Sequence, residues 1–148
     1  STATIHRPRR GSGRERTILM PVVLLVDDNK LNQLVAKGTL KRLNYAVDIV
    51  DSGADAVRAC AARGYDAVLM DIMMPGMDGL EATARIRAVD DTQGHGRHTP
   101  IIGLSARAME GDREQALAAG LDEYLTKPVR EDELKAALER WIRPVVVE

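Results

Sequence analysis

The chain is short of the features that several architectures require. Its single cysteine, Cys60, cannot close an internal disulfide, which excludes a disulfide-stapled scaffold and fits a reducing compartment. No apolar run approaches the roughly 18–20 residues that cross a bilayer, the longest being Val22–Val26, so no membrane segment is expected. No segment repeats another. Neither sign of charge dominates, with 21 Lys and Arg against 22 Asp and Glu and a formal net charge of −1. What is present is 45% hydrophobic and 29% charged, the balance of a chain that folds around a core. At roughly 100–200 residues per domain, 148 residues make one domain.

The even charge balance hides an asymmetry. Residues 1–20 hold Arg7, Arg9, Arg10, Arg14 and Arg16 against Glu15, a net of +4, which leaves 16 basic and 21 acidic residues, a net of −5, for the other 128. A basic stretch containing Gly11, Ser12 and Gly13 reads as a flexible arm or linker. It has no aromatic side chains to stack on bases, so direct nucleic-acid binding is not expected. It also lacks the apolar stretch of a signal peptide. The chain opens on Ser1, which implies either a piece cut from a longer protein or a native start at Met20. The expected organisation is an arm over 1–20, a domain over 21–143 and a tail over 144–148.

From Met20 onward, short apolar runs alternate with amphipathic stretches. Val22–Val26, Ala67–Met70 and Ile101–Leu104 are continuous apolar runs, as in strands covered on both faces. Ala46–Val50 and Glu123–Thr126 complete five strands, and Asp48 inside the former predicts a position near an edge. A first helix is predicted over Lys30–Leu43, with Leu31, Leu34, Val35 and Gly38 at helical spacing, and a second over Gly53–Arg63, with Ala56, Val57, Cys60 and Ala61 on one stripe. Leu80–Val89 and Met109–Ala119 follow. The last helix, Glu131–Ile142, carries Leu134, Ala137, Leu138 and Trp141 as a core stripe. Asn29 and Ser52 stand where N-caps belong. This alternation predicts an α/β domain: a doubly wound five-stranded parallel sheet with five helices on its two faces. Ligands of such sheets sit outside the carboxyl ends of the strands.

Polar residues occupy those ends. Asp27 and Asp28 follow the first strand, Asp71 the third, Ser105 the fourth, and Lys127 with Pro128 the fifth. Three carboxylates in one crevice repel and raise one another's pKa unless a cation intervenes. Mg²⁺ takes one or two carboxylates, keeps some waters and adds phosphate oxygens. A lysine and a hydroxyl nearby hold the remaining oxygens of a phosphoryl group, whose transfer requires mainly positioning and charge neutralisation. The residues thus point to a metal-assisted phosphoryl site with an aspartate acceptor. Taken singly, each has a plainer role. Asp27 and Asp28 suit a helix cap, Asp71 a turn, Lys127 a solvated surface, Ser105 a loop and Tyr124 an edge strand. Met70, Met73, Met74 and Met77 suit packing under a turn, and Trp141 a core anchor. His95 and His98 have a metal-ligand spacing but no third ligand nearby.

Four segments at four strand ends carry a family likeness: Asp27-Asp28-Asn29, Asp71 through Gly79, Leu104-Ser105-Ala106, and Tyr124-Leu125-Thr126-Lys127-Pro128. From about Val22 to Ile142 the chain resembles the receiver domain of two-component response regulators. The resemblance implies a flavodoxin-like sheet of strand order 2-1-3-4-5. It implies that Asp71 takes a phosphoryl group from a phosphohistidine and later loses it by self-catalysed hydrolysis. It implies that Asp28, Asp71 and the backbone carbonyl of Met73 bind Mg²⁺ directly, with Asp27 acting through water and Mn²⁺ able to substitute. Lys127 would pair with Asp71 and then with the phosphoryl oxygens, Ser105 would donate its hydroxyl to them, Ser105 and Tyr124 would form the switch, and the Lys127–Pro128 peptide would be cis. Met73 and Arg107, two residues beyond Asp71 and Ser105, stand where side chains affect access of water to the phosphoryl group.

The implied partners are a histidine kinase or a histidine phosphotransfer domain, together with a downstream protein that reads the face of helix 4, strand 5 and helix 5. The implied location is cytoplasmic. Asn32, the loop over 90–100 and the Ser105–Asp112 stretch are most like receivers of hybrid sensor histidine kinases. The alternative to a stand-alone regulator is then a receiver excised from such a kinase, acting as phosphorelay intermediate or autoregulatory module. Two other classes fit less well. A phosphatase of the haloacid dehalogenase type wants a second acid where Asn29 stands. A flavin or nucleotide module wants a glycine-rich phosphate loop where Asp27 and Asp28 would repel phosphate.

Overall fold

The computed structural model describes residues 3–8, 15–93, 98–106, 111–142 and 145–147. In chain order these form β1 (Ala3–Pro8), β2 (Glu15–Met20), β3 (Val22–Val26), α1 (Lys30–Arg42), β4 (Ala46–Val50), α2 (Gly53–Ala62) and β5 (Ala67–Asp71). There follow α3 (Gly79–Gln93), β6 (Ile101–Ser105), α4 (Asp112–Ala118), β7 (Glu123–Thr126), α5 (Glu131–Trp141) and β8 (Val145–Val147). Strands β3 to β7 pair in parallel in the order β4-β3-β5-β6-β7, which is 2-1-3-4-5 counted within the sheet. Among the described residues, no helix is long and apolar enough to cross a membrane.

The apolar runs become strands because both sheet faces are covered. Val22, Leu24 and Val26 pack with Val68, Met70 and Ile101 against Ala56 of α2 and Ala82 and Ile86 of α3. The alternate residues Val23 and Leu25 pack with Leu69 and Ile102 against Leu40 of α1 and Leu134, Ala137 and Leu138 of α5. Polar side chains start the helices. Asn29 Oδ1 accepts from the Asn32 amide at 2.9 Å, Ser52 Oγ from the Asp55 amide at 3.1 Å and Asp78 Oδ1 from the Glu81 amide at 2.9 Å. On β4, at the sheet edge, Asp48 accepts from the Tyr65 hydroxyl at 2.8 Å and the Arg63 guanidinium at 3.0 Å.

Several features differ from the expectations, and α3 continues to Gln93 through the first residues of the expected 90–100 loop. Leu31, Leu34 and Val35 are not a core stripe, for they are 68%, 68% and 63% exposed, while Gln33 and Leu40 are the buried residues of α1. Helical spacing fixes a face, and here the opposite face meets the sheet. Trp141 lies at the margin of the core, with its indole N–H donating to Glu123 at 2.8 Å. The segments expected as arm and tail contain strands: β1 pairs with β2 as an antiparallel hairpin, and β8 adds to β2. Thr17, Ile18 and Val145–Val147 are β-branched and suit strands, and pairing between opposite ends of a chain leaves no periodic mark in either. The helix expected from Met109 is described over Asp112–Ala118, and Met109 lies outside the described residues.

The two faces of α1 and α5 predict opposite outcomes. Leu138→Ala, in the core, is expected to cost about 3 kcal/mol of unfolding free energy. Leu34→Ala, on the wet face, is expected to stay within about 0.5 kcal/mol. Urea unfolding of the two variants checks both.

Candidate functional site

The carboxyl ends of β3, β5, β6 and β7 bring together the polar residues that follow them. Asp27 comes directly after β3 and is 4% exposed, whereas Asp28 faces solvent. Three hydrogen bonds hold Asp27. Its amide donates to the Val50 carbonyl at 3.2 Å, its Oδ1 accepts from the Asn29 amide at 2.9 Å, and its carbonyl accepts from Gln33 Nε2 at 2.6 Å. Asp71 is the last residue of β5, buried, with Oδ1 accepting from the Met73 amide at 3.2 Å. The start of α3 presses on it. A Cβ on Gly79 would lie 2.6 Å from the Asp71 carbonyl oxygen and 2.8 Å from Ile72 Cα, so only glycine lets the two segments approach.

Ser105 ends β6 and is buried, and its carbonyl accepts from the Lys127 amide at 2.8 Å. That bond ties the residue after β7 to the end of β6, and the Lys127–Pro128 peptide is cis. Lys127 Nζ reaches 3.5 Å from Asp71 Oδ1 and 3.6 Å from Asp27 Oδ2. Ser105 and Tyr124 line an adjoining cleft of about 500 Å³ together with Ile72, Met73, Met74 and Ala116.

Carboxylate oxygens of Asp27, Asp28 and Asp71 all lie within 4.8 Å of one another, the one grouping of this kind among the described residues. Burial raises the Asp71 pKa above the usual carboxylate range and Asp27 pushes it the same way, while Lys127 and the Met73 amide pull it back. Among the described residues, three carboxylates against one ammonium leave the crevice short of positive charge. A set of hard oxygen donors with that deficit fits a small divalent cation, Mg²⁺ above all. An ion there would hold phosphate oxygens beside Asp71, with Lys127 close enough to reach them.

The remaining expectations divide. Met70 and Met74 are buried under the turn, but Met73 is 55% exposed beside Asp71. His98 Nε2 sits 2.6 Å from Asp122 Oδ1, and Asp122 Oδ2 also accepts from Arg87 at 2.7 Å and the Ile101 amide at 2.8 Å, away from the acidic cluster. His95 and Arg107 lie outside the described residues. Sequence reasoning passed over Gln33 and read Gly79 only within the Asp71–Gly79 turn segment. A polar residue on the core-facing stripe of α1 was the available signal for the first; nothing local marks the close approach that the second permits.

Asp71 gives the crevice a pH dependence. Folding binds its proton more tightly than the unfolded chain does, so its ionisation opposes folding and stability falls as pH rises through the folded-state pKa. Without divalent cations, Asp71→Asn is therefore expected to raise the melting temperature at pH 7. The gain should shrink towards about pH 4, where the native carboxyl is protonated in part. Thermal melts in chelator at the two pH values check this.

The family model described as "Response regulator receiver domain" matches residues 23–139. The sensor histidine kinase GacS of Pseudomonas protegens is 38% identical over 137 residues, covering 90% of this chain and 15% of that protein. A probable histidine kinase of Oryza sativa is 36% identical over 149 residues, with 82% of this chain and again 15% of the relative. The chain thus spans about 15% of the length of these curated relatives. Among solved structures, the receiver domain of a sensor histidine kinase from Pseudomonas aeruginosa, with a magnesium ion coordinated in its active site cleft, is 46% identical. It covers 82% of this chain and 97% of that one, with a TM-score of 0.74. The receiver domain of Saccharomyces cerevisiae Ssk1, co-crystallised with the histidine phosphotransfer protein Ypd1, is 29% identical, covers 82% of this chain and 88% of that one, and has a TM-score of 0.75.

Proposed function

Because this chain belongs to the response regulator receiver domain family of two-component signalling, we propose that it is a phosphoacceptor switch that takes a phosphoryl group onto Asp71. The observation that carries this reading is the Asp27, Asp28 and Asp71 cluster within 4.8 Å, with Lys127 Nζ 3.5 Å from Asp71. The donor is a phosphohistidine on a histidine kinase or histidine phosphotransfer domain. An Asp71 carboxylate oxygen forms a bond to phosphorus as the phosphorus–nitrogen bond breaks, and the imidazole leaves. Asp28, Asp71 and the Met73 backbone carbonyl hold Mg²⁺, with Asp27 acting through water and Mn²⁺ as a substitute. When bound, the ion offsets charge on the phosphoryl oxygens.

Lys127 orients and neutralises the Asp71 carboxylate and then the transferred group. Ser105 Oγ donates to a phosphoryl oxygen, and Tyr124, lining the same cleft, follows its movement. Output passes through the face of α4, β7 and α5, where Leu117 and Trp141 are each 39% exposed. The donor docks on α1. Leu31, Leu34 and Val35 form a wet apolar patch starting three residues after Asp28, a surface suited to a helical partner. The partner in the Ssk1 structure supports a protein donor of this class. The histidine kinase relatives, each far longer than this chain, support an origin in a hybrid kinase on the cytoplasmic side, as phosphorelay intermediate or autoregulatory module.

Intact mass after incubation with acetyl phosphate and Mg²⁺ tests the assignment. One added phosphoryl group is expected, absent in chelator and absent in Asp71→Asn. An adduct that persists in Asp71→Asn overturns Asp71 as acceptor. The docking patch has its own test. Leu34→Glu is expected to slow transfer from a phosphorylated histidine phosphotransfer protein by about tenfold relative to uptake from acetyl phosphate. Equal rates would remove α1 from the donor interface.

A further inference from the structure

The core-facing stripe of α1 runs through Gln33, Ala36 and Leu40 at i, i+3 and i+7. An amide therefore stands where the packing favours an apolar side chain, while Leu31, Leu34 and Val35 face water. Burying an amide is unfavourable unless its hydrogen bonds are made. Gln33 is 7% exposed, and its Nε2 donates to the Asp27 carbonyl at 2.6 Å.

The acceptor gives this bond its meaning. Val26 ends β3, so Asp27 is the first residue past the strand. The Asp27 carbonyl belongs to the same rigid peptide plane as the Asp28 amide and Cα. Holding that oxygen sets the plane from which the Asp28 side chain departs. Asp27 Oδ1 is tied separately to the Asn29 backbone N–H, and the Gln33 backbone N–H donates to the Asn29 carbonyl at 3.0 Å. The buried carboxylate therefore has its own anchor, whereas the exposed Asp28 depends on the plane.

We infer that Gln33 is a positioning residue for the acidic cluster, its side-chain amide locking the Asp27–Asp28 peptide so that both carboxylates converge on Asp71. The inference rests on the Mg²⁺ site proposed above and deepens it. Gln33 touches neither metal nor phosphoryl group; it acts through the backbone of the two residues that precede α1. A residue that orients ligands in this way changes metal affinity when it is lost, even where the fold survives.

The test measures Mg²⁺ binding to the 148-residue chain by titration calorimetry, with the melting temperature recorded for each variant. Gln33→Met keeps the length and removes the donor, and it is expected to weaken Mg²⁺ binding about tenfold. Gln33→Arg keeps an N–H donor and should bind within about threefold of the native chain. Leu40→Ala, on the same stripe one turn further on, should lower the melting temperature and leave Mg²⁺ affinity unchanged.

Native affinity in Gln33→Met overturns the inference, and so does equal weakening in Leu40→Ala, which would mark a merely structural role. A second readout uses the native chain and does not depend on any variant folding. The Gln33 side-chain amide resonances should shift when Mg²⁺ saturates the protein, and unmoved resonances overturn the inference. Failure of the native chain to bind Mg²⁺ brings down the proposed metal site and this inference with it. Native binding with an indifferent Gln33 brings down the inference alone.

Discussion

Three carboxylates share one crevice with a single lysine, and like-charge repulsion there works against the folded state. At Asp71 burial adds the larger cost and raises its pKa, with Asp27 acting the same way and Lys127 against both. Lys127 offsets part of the repulsion from between Asp27 and Asp71. Only a scaffold with stability elsewhere tolerates such a site, and here the stability comes from two apolar layers. Neither layer contains a carboxylate of the cluster. The sheet also dictates where the repulsion falls, since parallel strands deliver all their carboxyl ends to one side. Close backbone contacts then leave the acidic groups little room to separate. Gly79 against the Asp71 carbonyl is one such contact, and the Lys127 amide on Ser105 is another.

Helix α1 faces two demands at once. Its inner side has to seal the sheet and also serve the turn that carries Asp27 and Asp28. Leu40 does the first and Gln33 the second. Its outer side keeps Leu31, Leu34 and Val35 in water, at a cost that a purely structural helix would avoid with polar residues. The same short element thus connects the geometry of the crevice to the surface beside it.

Most of the sheet was legible because strands buried on both faces appear as unbroken apolar runs, and Val22–Val26, Ala67–Met70 and Ile101–Leu104 do so plainly. Asp48 within the Ala46–Val50 run marked the edge, where β4 lies. The candidate site was legible for a related reason: Asp27, Asp71, Ser105 and Lys127 each stand at or just past the end of a strand, and parallel topology converts that sequence position into proximity. Helix orientation was harder. Leu31, Leu34 and Val35 have the spacing of a core stripe, and periodicity alone does not say which face meets the sheet. Gln33 belongs to the competing stripe and was hidden by its polarity. Trp141 completes the apolar series of α5 but is its final residue, where the indole N–H turns to the Glu123 carboxylate. The pairing of β2 with β8 joins opposite ends of the chain, and no local pattern encodes it.

The contact between Trp141 and Glu123 has a practical corollary. The chain contains one tryptophan, 39% exposed, with its indole N–H 2.8 Å from the carboxylate of the residue that precedes Tyr124. Arg140 donates to the same carboxylate and holds its pKa below the usual range, so the group beside the indole stays ionised. Indole emission responds to a charge at that distance. The domain therefore carries its own optical probe of β7, one that needs no label and is read against only three tyrosines.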